Sequence, residues 1–249
     1  MSSTADRRSR LDMAWMAFDR VVTVAVLLAV AYFAWSTRSR TPPTPNAVDD
    51  MKGTETQLPT KLDGSSRASI ALIEFSDFQC PYCAKFEQEV YPRIQNAFVK
   101  TDVVRYAFRH LPLPIHALAF EAGEAAECAE TEGKFWQMHE RLFSHQTSLS
   151  HDDLMAHATA LQIDSETFQR CLTNSRTSDR VKGDASEGRR LGISGTPSFI
   201  VGRIAPDGRT VTDVKRINGG RAYDVFERVI NEMRNEGGSD RSRATGHNE

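Results

Sequence analysis

A surplus of basic charge is what this 249-residue chain lacks: 31 lysines and arginines face 33 acids, a formal net charge of −2. Without a basic surface there is no electrostatic footprint for a nucleic acid, and no nucleic-acid partner is expected. The chain has no Gly-rich phosphate loop and no internal repeat. Cysteine is scarce, with only Cys80, Cys83, Cys128 and Cys171. A structural zinc site needs four ligands, usually two C-x-x-C pairs. Here the pair at 80–83 stands alone, with no histidine pair at finger-like spacing behind it. His139, His145, His151 and His157 recur every six residues, but six residues turn a helix by about 600°, so they would not share a face. No Met-rich or Cys-rich stretch supports a copper(I) carrier. Neither metal nor organic cofactor is expected.

What is present begins with an apolar run. Arg20 and Arg38 bracket 17 uncharged residues, "VVTVAVLLAVAYFAWST". As a helix it would rise roughly 25 Å, the short end of a membrane span. Four arginines precede it and two follow closely, a bias toward a cytoplasmic N-terminus and an exported body. The rivals are a signal peptide cleaved near "AVA" at Ala29–Ala31 and a buried core helix. The expected organisation is a cytoplasmic segment over 1–20, a transmembrane anchor or signal over 21–37, and a proline-bearing linker over 38–67. A folded domain follows over 68–236, and a flexible tail over 237–249.

Within that domain, "SIALIEFS" at 69–76 reads as a buried strand carrying one acid, Glu74. A helical pattern follows through Phe86, Val90, Ile94 and Phe98, with Pro92 placed to kink it. Residues 103–113 read as a second strand closed by prolines, completing a β-α-β unit. The middle is helical: Ile115, Leu118, Ala119, Ala122 and Ala126 share a face, and "SHDD" at 150–153 suits an N-cap. Strand patterns return at 196–202 and in "TVTDVKRI", joined through "PDG", before a closing amphipathic helix.

The meaning of "QCPYCA" decides the function. A bridge between residues three apart closes too small a loop to act as a staple. Placed after a strand and opening a helix, Cys80 would meet the free N–H groups and dipole of the helix N-terminus, which stabilise a thiolate. Pro81 suits the first helical turn. Cys83, one turn along, is placed to resolve a mixed disulfide.

The segments "IEFSDFQCPYCAKFE", "CAETEGKFWQMHERLF" and "LGISGTPSFIVG", in that order, resemble DsbA-like thiol–disulfide oxidoreductases of the thioredoxin superfamily. The resemblance covers about 68–236. It implies an α/β, thioredoxin-like fold: a central mixed sheet flanked by helices, with an inserted helical subdomain at about 114–190. It implies Cys80 as nucleophile, Cys83 as resolving thiol, and Pro197 as a cis-proline facing the pair. Pro81, Tyr82 and Thr196 would meet the substrate. Glu74, six residues before Cys80, would be the buried acid beneath the site, relaying a proton to Cys83. The Cys80–Cys83 bond would be redox-active. A structural Cys128–Cys171 bridge fits relatives with cysteines in these places, against the alternatives of two free thiols or a second redox pair. His110 and His116 read as polar loop histidines. The expected activity is a protein disulfide oxidoreductase of the cell envelope, its catalytic domain extracytoplasmic and held by the N-terminal helix, or cleaved and secreted. It would act on cysteine-containing exported proteins and be reset by an unidentified redox partner. The alternatives are a reductase or isomerase of the same fold, or a non-catalytic envelope binding module.

Overall fold

The computed structural model describes residues 47–245, with Thr23, residues 26–30 and Tyr32 ahead of them; for 237–245 only the backbone is described. The N-terminal residues just named are helical. No helix among the described residues is long and apolar enough to cross a membrane, and most of the expected 21–37 span lies outside them, as do residues 1–20.

The unit that begins at Ala47 is built on a seven-stranded mixed sheet. Its strands are β1 (Val48–Asp50), β2 (Thr56–Gln57), β3 (Leu62–Asp63), β4 (Ile70–Ser76), β5 (Val104–His110), β6 (Ser198–Ile204) and β7 (Thr210–Asn218). The sheet order is β1-β7-β6-β4-β5-β3, and β2 also pairs with β7. β4 and β5 run parallel, while β6 lies antiparallel to β4. Strand β4 is central, and Ile70 to Phe75 are wholly buried. Its alternation splits the core. Ile70 and Leu72 pack with Phe86, Tyr106, Phe199 and Phe226, whereas Ala71, Ile73 and Phe75 pack with Ala107, Ile200 and Val214 on the other face. Glu74 therefore falls on the Leu72 face.

Helix α1 (Pro81–Glu89) links β4 to β5 and gives way to α2 (Tyr91–Ile94) and a π-helical turn, Gln95–Val99. Pro92 lies in the first turn of α2, where its missing N–H has no intrahelical partner to lose. The insert between β5 and β6 comprises α3 (Ala119–Glu130), α4 (Phe135–Ser144), α5 (His151–Ala160), α6 (Ser165–Leu172) and α7 (Ser175–Arg190). Ser150 caps α5 through a complete capping box with Asp153. Helix α8 (Tyr223–Thr245) closes the chain. At the β6–β7 bulge Gly202 has no room for a side chain: a Cβ would stand 2.5 Å from Val211 and 2.7 Å from the Thr212 carbonyl.

Three expectations require correction. From residue 47 onward the supposed linker over 38–67 is folded, because its short polar strands satisfy their backbone groups on sheet edges. The expected tail over 237–249 is helical through Thr245. Ile115 is 82% exposed in a turn ahead of α3 and does not share the helix face assigned to it.

Candidate functional site

Strand β4 ends at Ser76, and the chain turns through Asp77 to Gln79 into α1. Buried Asp77 fixes this turn: it accepts from the Gln79 and Leu113 amides, both at 2.8 Å, and lies 2.8 Å from His116 Nδ1. Cys80 is the N-cap of α1, with extended φ and ψ and no side-chain cap, and Pro81 follows within the first turn. Its sulfur is left facing the free N–H groups of that turn. From the insert, Gln146 donates to the Phe78 carbonyl at 2.7 Å and the Cys80 carbonyl at 2.9 Å, clamping the loop from outside.

Both cysteines are free thiols here and both are buried. Across from them the Thr196–Pro197 peptide bond is cis, and the Thr196 carbonyl accepts from the Cys80 thiol at 3.6 Å. Tyr82 is 69% exposed beside the pair. A Cβ built on Gly220 would stand 3.5 Å from both the Pro197 ring and the Tyr82 carbonyl, so these three residues share one rim. The structure thus gathers Cys80, Cys83, Pro81, Tyr82, Thr196 and Pro197 at one end of α1.

The two thiols are driven apart electrically. The Cys83 thiol donating to Cys80, followed by the Thr196 side chain and the N–H groups of Cys83 and Tyr82, outweighs burial and holds the Cys80 pKa down to about 5. Burial pushes Cys83 well above an ordinary thiol, and neighbouring Cys80 and Glu74 add to it. Glu74 is fully buried, and that burial raises its pKa to about 7, partly offset by the polar groups of Ser76, Tyr106 and Glu87 beside it.

Sequence reasoning did not single out what surrounds Glu74. The Tyr106 hydroxyl bonds Glu74 Oε2 and lies 3.1 Å from Glu87 Oε1. Glu87 is a second buried acid, raised well above its usual range by burial and then by Glu74. The signal was available: Glu87 lies four residues after Cys83, one turn along the same helix face. His139, buried on α4, stands 3.6 Å from Glu87, and burial lowers its pKa to about 3, so it is neutral. Nor is His110 a loop histidine: it ends β5, buried, with Nε2 2.9 Å from Glu127.

His110, Glu127 and Asp184 bring possible ligand atoms within 4.8 Å of one another. The Lys61 ammonium already serves them, 2.6 Å from Glu127 and 2.9 Å from Asp184, with Arg109 2.7 Å from Asp184. This cluster is a charge clasp between the early strands, β5 and the insert. Elsewhere in the insert a disulfide joins Cys128 on α3 to Cys171 on α6, with Cα atoms 5.7 Å apart.

Residues 57–217 match the family model described as Thioredoxin. Among curated proteins, the Na(+)/H(+) antiporter NhaA 3 of Salinispora tropica is 38% identical over 139 residues, 55% of this chain and 21% of that protein. NhaA 1 of Mycolicibacterium vanbaalenii is 30% identical over 207 residues, 80% of this chain and 32% of that one. The chain therefore spans a third or less of the length of these relatives. Among solved structures, oxidised BdbD from Bacillus subtilis superposes with a TM-score of 0.62 at 23% identity, covering 73% of this chain and 98% of that one. Wolbachia pipientis alpha-DsbA1 gives 0.60 at 24% identity, covering 72% and 94%. The family match over most of the chain makes one conclusion: the chain belongs to the thioredoxin family, and it shares the fold of BdbD and alpha-DsbA1.

Proposed function

We propose that this protein is an extracytoplasmic protein thiol–disulfide oxidoreductase that introduces disulfides into exported proteins. The observation that carries this reading is the asymmetry of the pair: Cys80 is poised as a thiolate at a helix N-terminus, opposite a cis-proline, while buried Cys83 holds its proton. In the oxidised form a client thiolate attacks Cys80. A client–Cys80 disulfide forms, the Cys80–Cys83 bond breaks, and Cys83 leaves as a thiolate that takes a proton. The client's second thiolate then attacks its own sulfur in the mixed disulfide and releases Cys80 as a thiolate. The client is oxidised by two electrons and the pair is reduced by two. Whatever stabilises the Cys80 thiolate favours the reduced pair and so makes the protein a better oxidant.

The rim of Tyr82, Pro197 and Gly220 is the surface for the client backbone, with Pro81 and Thr196 beside it. A separate redox partner takes electrons from the reduced pair. A disulfide outside the site supports an oxidising compartment, and the 21–37 segment acts as anchor or signal. Thr196 before Pro197 and the Pro-Tyr dipeptide favour the second reading, a reductase or isomerase on the same site.

Mixing the oxidised protein with a reduced, unfolded two-cysteine client tests the proposal. One client disulfide per protein is expected, with none from Cys80→Ser. A client left reduced would overturn it. Full activity of Cys80→Ser in the cell would instead point to a non-catalytic envelope binding module.

A further inference from the structure

The exchange reaction just proposed, on which this inference rests, needs Cys80 held as a reactive thiolate. Cys80 belongs to the β4–α1 loop, and the segment after β5 grips that loop from end to end. The Leu113 amide and the His116 ring both meet Asp77, each at 2.8 Å. The Leu118 amide donates to Gln79 Oε1 at 2.8 Å. The Phe78 ring packs on Phe143 of α4, with centroids 4.8 Å apart. Gln146 makes the last grip, from the turn between α4 and α5. That turn is itself fixed. The Ser148 amide donates to the His145 carbonyl at 2.8 Å, the His157 ring lies 3.0 Å from the Ser148 carbonyl, and Leu149 is wholly buried.

A carboxamide nitrogen carries two hydrogens. Gln146 Nε2 spends both on the loop, one on the Phe78 carbonyl at 2.7 Å and one on the Cys80 carbonyl at 2.9 Å. The Cys80 carbonyl is crowded. The Cys83 and Ala84 amides also reach it, at 3.1 and 3.2 Å, and a carbonyl oxygen offers only two lone pairs. The bond from Gln146 is the shortest of the three. The Cys83 amide has a second acceptor within reach, the Cys80 sulfur, whose charged form it stabilises. An N–H shared between two acceptors is common at a helix end. The more of the carbonyl Gln146 takes, the more of the Cys83 N–H is left for the sulfur.

We propose that Gln146 is a positioning residue for disulfide exchange: it occupies the Phe78 and Cys80 carbonyls, so that the first N–H groups of α1 stay turned to the Cys80 sulfur. The helical insert is then part of the nucleophile's setting, through a side chain that takes no part in the exchange itself. The titratable groups that act on the Cys80 thiol are Cys83 on α1 and Glu74 on β4. Asp77 and His116 are paired with each other at the start of the loop. Gln146 carries no charge, so its loss acts on the thiolate through the N–H groups.

The test is titration of Cys80 in the reduced protein by thiolate absorbance, for wild type, Gln146→Met and Gln146→Glu. Each is also equilibrated with glutathione at pH 7 and unfolded in urea. Methionine keeps the length of the side chain and removes both donors. Glutamate keeps its outline and sets a carboxylate against two carbonyls. Gln146→Met should raise the Cys80 midpoint by about one unit from its wild-type value of about 5. At pH 5 the thiolate fraction then falls from about half to about a tenth, and at pH 7 the glutathione equilibrium moves about tenfold toward the disulfide form. Gln146→Glu should move both in the same direction and further, and Gln146→Met carries the test if Gln146→Glu does not fold. Wild-type midpoints and equilibria in both variants, with or without a loss of stability in urea, would overturn the positioning role and leave the exchange activity standing. A raised midpoint in Gln146→Glu alone would overturn it too, since the added charge would account for the shift. A wild-type protein that leaves a reduced client reduced would overturn the exchange activity, whereas the titration reads the Gln146 clamp on the reduced protein without a client.

Discussion

Replacing Cys83 by alanine removes the largest single cause of the low Cys80 pKa, the hydrogen bond from the Cys83 thiol. A hydrogen bond to a charged group is worth about 1.5–3 kcal/mol, and one pKa unit is about 1.36 kcal/mol. Cys80 should then titrate about one to two units above its wild-type midpoint of about 5, still below an ordinary thiol because the Thr196 side chain and helix N–H groups remain. The folded pKa is depressed, so the stabilisation of the reduced state is complete above the ordinary thiol pKa and is lost as pH falls through about 5. At pH 7 it amounts to about two units, ~2.7 kcal/mol, equivalent to about 60 mV in a two-electron potential. The assay is thiolate absorbance against pH, checked by the pH dependence of Cys80 alkylation. A wild-type midpoint at an ordinary thiol value, or a Cys83→Ala midpoint that does not rise, would refute the reasoning.

Glu74→Gln should stabilise the reduced protein by about 3 kcal/mol on the alkaline side and leave it little changed near pH 4. Burial lifts the carboxyl from 4.5 to about 7, so native stability declines as pH rises across that window and stays reduced above it. Urea unfolding at both ends measures this, and equal effects at both ends would contradict it. Replacing Cys128 and Cys171 by serine together opens a loop with a sequence separation of 43, and should cost about 4 kcal/mol in the same assay with exchange chemistry at Cys80 retained. Gly202→Ala should lower the melting temperature, since its Cβ meets backbone as well as the Val211 side chain; an unchanged melting curve would count against the bulge geometry.

The parts of the fold that announced themselves in the sequence are those whose burial writes a pattern. Strand β4 reads as a short apolar run carrying one acid, Glu74, because both its faces are covered. Ser150 with Asp153 reads as a cap, and the two prolines after β5 mark its end. The early strands were illegible for the opposite reason. β1 to β3 hold two or three residues each and attach through backbone pairing, which leaves no periodicity in side chains. Lys61 looked like a linker charge, yet it is 4% exposed, because Glu127 and Asp184 reach it from helices far along the chain. Gln146 and Tyr106 met the site in the same way, through tertiary approach. Glu87 is the intermediate case. Its spacing from Cys83 placed it on the right face, but an acid on an amphipathic helix ordinarily faces water.

The central claim is that the Cys80–Cys83 pair gives disulfides away. Its equilibrium reduction potential against glutathione, measured with Cys128 and Cys171 intact, tests that most directly. The account predicts a value well above the glutathione couple, toward the strong-oxidant end near about −120 mV. A value near about −270 mV, where thioredoxin lies, would contradict it and make the protein a reductase.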